Sequence, residues 1–135
     1  MYFHCKSSLL AVILFACCVL AKEDPNKEVL SILNCVAKSG DQKECDEILH
    51  CNDKLALPYQ DAYNECVSSC LPNGIGKCDK NSELYYSEAI RRKIYDCIQT
   101  KVANTKLTDE QEQQMKDFQE CVHTVGEKAR CKTGN

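Results

Sequence analysis

Apolar side chains return every three or four positions through most of this chain, a helical rhythm. Asp24 as N-cap and Pro25 at the first helical position open the first helix. Its buried stripe is Val29, Ile32, Leu33, Val36 and Ala37, with Cys35 beside it and Gly40 as the stop. Asp41 and Glu44 form a capping signal for a short second helix carrying Cys45, Ile48 and Leu49, which fades near Cys51, Asn52 and Asp53. A third helix is bracketed by Pro58 and Pro72, apolar or sulfur-bearing at Tyr59, Ala62, Tyr63, Cys66, Val67 and Cys70. Cys66 and Cys70 lie one turn apart, so both sulfurs are expected on its buried face, where two neighbours could be crosslinked at once.

Beyond a turn-rich loop with Gly74 and Gly76, clipped by Cys78, the pattern predicts a fourth helix from Asn81 or Ser82 to Ala103. Leu84, Ile90, Ile94, Cys97 and Ile98 face inward and Arg91, Arg92 and Lys93 outward. Thr108 and Gln111 make a capping box for the fifth helix, with buried positions Met115, Phe118, Cys121, Val122 and Val125 and a stop at Gly126. A short last turn reaches Cys131, and residues 132–135 are expected to fray. No strand-like alternation, repeat or linker interrupts this series. The expectation is one all-α, small, disulfide-stapled domain of five to six helices.

The N-terminus departs from the rhythm. Residues 9–21 form one apolar run after Lys6, shorter than the ~20 residues a membrane span requires, and end in Val19-Leu20-Ala21 before charged Lys22. Residues 1–21 therefore read as a secretory signal peptide and 22–135 as the cysteine-rich helical domain. Nine of the twelve cysteines lie in that domain: Cys35, Cys45, Cys51, Cys66, Cys70, Cys78, Cys97, Cys121 and Cys131. On an exported chain this density is a disulfide framework. The chain has no Trp and three Phe, two of them in the leader, so a modest core gains from crosslinks. Eight paired cysteines allow 105 connectivities for each choice of the odd one, and the spacing alone selects none. The spare thiol is either free or links two chains.

Charge narrows the partners. The whole chain carries a formal −3, and loss of the leader's single Lys makes it slightly more acidic. A mixed, faintly acidic surface argues against nucleic acid or anionic lipid, and no second apolar run is long enough to span a membrane. Catalytic chemistry is hard to place. Outside the leader there are two histidines, His50 and His123, too few for a clustered zinc site where the thiols oxidise. No Gly-x-Ser-x-Gly elbow is present, and no cysteine carries a nucleophile's signature. Asp46-Glu47 and Glu110 with Glu112 fall on hydrophilic faces. No catalytic, cofactor-binding or metal-ligating residue is assigned. Arg91-Arg92 could be a processing site, although its helical setting favours an exposed face. Tyr59, Tyr63, Tyr85, Tyr86 and Tyr95 could line a pocket or simply fill the core.

Two resemblances follow from the cysteines. Cys35, thirty residues, Cys66, three residues and Cys70, with Cys121 and Cys131 ten apart, is similar to the spacing of insect odorant-binding proteins, helical carriers of small ligands. Cys97 departs from that spacing. The resemblance implies pairing of Cys35 with Cys70, Cys66 with Cys121 and Cys97 with Cys131, which would make the third helix a hub. Cys45, Cys51 and Cys78 have no counterpart in it. The second is to cysteine-rich venom-gland proteins of arachnids: a leader, then dense cysteines on a Lys- and Glu-rich chain without a catalytic signature. It implies a secreted, non-enzymatic toxin that binds an extracellular target protein in prey, an ion channel or receptor. The alternative is an extracellular carrier of small apolar ligands. A disulfide-linked dimer through the odd cysteine is a further expectation.

Overall fold

The computed structural model describes residues 25–131 and places five α-helices there. They are α1 (Pro25–Ala37), α2 (Gln42–Cys51), α3 (Leu57–Cys70), α4 (Glu88–Val102) and α5 (Asp109–Lys128), with a 3-10 turn at Asn52–Lys54. The described part is all-α, without strands, and is stapled by four disulfides. Residues 1–24, with the expected leader and the Asp24 cap, and residues 132–135 lie outside the described residues.

Most helix ends form where the local chemistry predicts them. Asp41 caps α2 by accepting from the Lys43 N–H at 2.9 Å. Thr108 and Gln111 cap α5 reciprocally, at 3.1 and 3.0 Å. The fourth helix is the exception. It starts at Glu88, not at 81 or 82, with Ser87 as its N-cap. Residues 79–86 are diverted into a loop because the Asp79 carboxylate accepts from the Asn81 N–H and the Ser82 hydroxyl, at 2.8 and 2.9 Å. Side-chain bonds of this kind compete with the helix ladder. Tyr85 and Tyr86 then turn left-handed, at φ 58 and 67. Leu84 is fully buried as expected, but from a loop.

Gly126 is not a stop either. It lies inside α5, against α1, where an added Cβ would come within 2.9 Å of Ile32 Cγ2. The helix ends two residues after it instead, with Arg130 in the left-handed region and Cys131 N–H bonded to the Gly126 carbonyl at 2.8 Å. Gly126→Ala is therefore expected to destabilise the fold by about 1–3 kcal/mol in a denaturant titration, overpacking outweighing the better helix propensity. A neutral or stabilising effect would show that α1 and α5 can move apart freely.

Contacts at residues 28 and 123, 32 and 126, and 35 and 131 advance together, so α1 and α5 run parallel. Contacts at 47 and 128, and 51 and 121, show α2 antiparallel to α5. The α3 helix packs chiefly on α4. Ile32, Val36, Ile48, Leu84, Ile94, Phe118 and Val122 fill the space between them.

Crosslinks follow this packing. Cys35 joins Cys131, Cys45 joins Cys78, Cys51 joins Cys121 and Cys66 joins Cys97. None of the three pairings implied by odorant-binding proteins is formed. The third helix is not a hub: Cys66 ties it to α4 alone, and Cys70, at its last residue and half-buried, is the free thiol. Cys70 packs against the edge of the core beside buried Leu71, where no second cysteine meets it.

Candidate functional site

All five helices contribute to one apolar cavity of about 110 Å³. Leu30 and Leu33 enter from α1 and Ile48 from α2; Ile94 and Ile98 come from α4, and Phe118 and Val122 from α5. Of the five tyrosines considered for a pocket, Tyr59, Tyr63, Tyr85 and Tyr95 line it, whereas Tyr86 is half-exposed at the surface.

Asn26 and Gln99 also line the cavity, and one wall of it carries a connected polar cluster. The hydroxyls of Tyr63 and Tyr85 are 2.6 Å apart, and the Asn52 side chain hydrogen-bonds to both tyrosines. Burial raises the Tyr63 pKa, against a smaller downward pull from its bonds to Tyr85 and Asn52. Burial raises Tyr85 well above the usual tyrosine value, helped by Tyr63 and opposed by Asn52. An unfolded chain would ionise both near pH ~10. The stability carried by these protonated hydroxyls is thus fully present below that pH and lost as pH rises through the folded values. Followed by tyrosinate absorbance, two tyrosines are expected to titrate late, with unfolding beginning in the same alkaline range. A single titration at the ordinary value would contradict this placement.

Arg91 closes the cavity behind Tyr85, and helical periodicity misplaced it. Arg92 and Lys93 are exposed as expected, but Arg91 is only 1% exposed. Its Nε donates to Asn34 Oδ1 at 2.7 Å, Nη1 to the Leu84 carbonyl at 2.8 Å and Nη2 to Glu83 Oε2 at 2.9 Å. A buried helical arginine gives a protease no access in the folded protein, so Arg91-Arg92 is no processing site there. Asn52 also escaped the sequence reading; a polar residue following Cys51 at a fading helix end carries no signal of its own.

Neither histidine of the described residues lines the cavity. His50 lies 3.7 Å from Asp53 at the surface, and His123 lies 3.4 Å from Glu28. Among the described residues, no group of three or more His, Cys, Asp or Glu is placed to hold a metal, and no helix is long and apolar enough to cross a membrane.

A small helical domain held by four crosslinks, with eight cysteines of the described residues paired and a cavity lined mainly by apolar side chains, defines a cysteine-rich, disulfide-stapled protein. The chain belongs to the Hi1a-like family, described as U10-hexatoxin-Hi1a, whose family model matches residues 23–132. It is thus a toxin-like cysteine-rich protein. The likeness to arachnid venom-gland proteins gains support from this match, while the likeness to odorant-binding proteins gains none. No match was found among the curated proteins or among the solved structures.

Proposed function

We propose that the protein is a secreted, non-enzymatic venom toxin that acts by binding an extracellular target protein of the prey, an ion channel or receptor. The observation that carries this reading is the toxin-family match over residues 23–132. Four disulfides support it, since crosslinks that limit unfolding also limit proteolysis in an injected fluid. On this reading residues 1–21 are removed on export.

Refolded residues 22–135 should impair insects on injection and alter currents in insect neurons at micromolar dose. No effect in either assay would overturn the proposal. Leu57 and Tyr86 are the exposed large apolar side chains among the described residues, at 61% and 49%. Exposed tyrosines are common anchors in protein interfaces. Tyr86→Ala is therefore the first variant to compare, with a circular dichroism check that its fold is retained.

A further inference from the structure

We propose that the cavity between the five helices is a binding site for a small, neutral, largely apolar molecule bearing one hydroxyl, of phenol size. In this site the ligand's hydroxyl lies against Tyr63 and Tyr85. The inference rests on the cavity and does not depend on the toxin reading.

Size sets the first limit. At about 110 Å³ the cavity is below the roughly 300–1,000 Å³ of sites for drug-sized ligands. It is close to an apolar cavity of ~150 Å³ that accepts benzene. A single ring or a short branched chain fits within that volume.

The lining sets the second limit. Its walls are mainly aliphatic and aromatic side chains; Asn26, Arg91 and Gln99 also line it, and Tyr63, Tyr85 and Asn52 form its one interconnected polar cluster among the described residues. One hydroxyl proton suffices for the bond between the two tyrosine oxygens. The pair therefore retains a second O–H beyond its mutual bond; with the Asn52 amide on the tyrosine oxygens, that proton and the remaining lone pairs can turn to a ligand. A ligand hydroxyl, which both donates and accepts, matches that pair. A carboxylate does not, because the nearby guanidinium of Arg91 already holds Glu83, Asn34 and the Leu84 carbonyl.

The backbone gives an independent indication. Tyr85 presents its ring to the cavity from φ 58, a left-handed conformation that is costly for a bulky residue. It is held there by its N–H on the Ile75 carbonyl at 2.7 Å and by Arg91 on the preceding carbonyl. Strain that the surroundings maintain concentrates where a side chain must be aimed.

The test is an NMR titration of the folded, oxidised protein with phenol, toluene and octanoate. Phenol is expected to shift the methyl resonances of Ile48, Ile94 and Val122 saturably, with a dissociation constant of about 0.1–1 mM for some seven non-hydrogen atoms. Toluene, of equal size, should bind roughly two- to ten-fold more weakly, the worth of one hydrogen bond. Octanoate should not saturate. Tyr85→Phe should bring phenol to the toluene level and leave toluene unchanged. If that variant is misfolded by its amide spectrum, Tyr63→Phe replaces it with the same expectation. Absence of saturable binding by phenol overturns the site. Equal binding of phenol and toluene, or tighter binding of octanoate, overturns the ligand class.

Discussion

Arg91→Ala is expected to lower stability by about 3–5 kcal/mol, the loss that follows when one partner of a buried charged network is removed. The pair with Glu83 alone would not justify that figure. Glu83 keeps 38% of its side chain in solvent and can rehydrate, so its share is discounted. The larger part comes from the other two acceptors. The Leu84 carbonyl belongs to a fully buried residue, and Asn34 Oδ1 faces the same guanidinium. The buried Leu84 carbonyl without a donor costs about 1–3 kcal/mol, the half-buried Asn34 less, and the missing side chain leaves a cavity in addition. Arg91→Lys should lose less but still measurably, because one ammonium on a flexible stem cannot match three acceptors spread over a planar fork. The effect should also be local. Arg91 fixes the carbonyl just before the left-handed Tyr85, so in Arg91→Ala the amides of residues 83–87 should exchange faster than those of α5. An unfolding midpoint within 1 kcal/mol of the parent would show that these three bonds are not what holds the loop.

This arginine shows where a sequence stops being readable. A helical wheel assigns Arg91 to solvent by its charge; the partner that reverses the assignment, Asn34, lies on a helix 57 positions away. The α1, α2, α3 and α5 helices were legible because their apolar spacing and caps are local, the Thr108 box being the clearest case. Residues 79–86 were not, since their apolar spacing is helical while their hydrogen bonds are those of an Asp79-led turn and two left-handed tyrosines. Gly126 was misread for a related reason. A glycine near a helix end looks like a cap, and only the position of Ile32 shows that it serves a close helix crossing. The sequence leaves five tyrosines open between pocket and core; four line the cavity, and nothing local indicates that Tyr63 and Tyr85 meet across 22 positions.

Cys66 and Cys70, one turn apart on α3, should respond oppositely to substitution. Replacing Cys66 and Cys97 together with alanine is expected to cost about 2–5 kcal/mol, whereas Cys70→Ala should stay within about 1 kcal/mol of the parent. The bridge closes a sequence separation of 31, and loop entropy assigns such a loop about 3.7 kcal/mol. The Cys51–Cys121 bridge spans 70, for which the same relation gives about 4.4 kcal/mol if it acts alone. With the other three bridges closed, its effective loop shrinks, because the route from residue 51 to 121 can cross between 66 and 97. The two deletions should therefore differ by less than about 1 kcal/mol, and their order depends on the packing left behind. Both Cys51 and Cys66 are fully buried, so each alanine also forfeits contacts in the core. Cys70 has no bridge to lose and only part of its surface to expose. For a domain of this size each kcal/mol moves Tm by about 4 °C or more, so thermal unfolding separates the cases readily. Peptide mapping without reduction should recover residue 66 linked to 97. Equal losses for the Cys66/Cys97 and Cys70 variants would mean that both sulfurs of the third helix are bridged, and that the pairing described here is wrong.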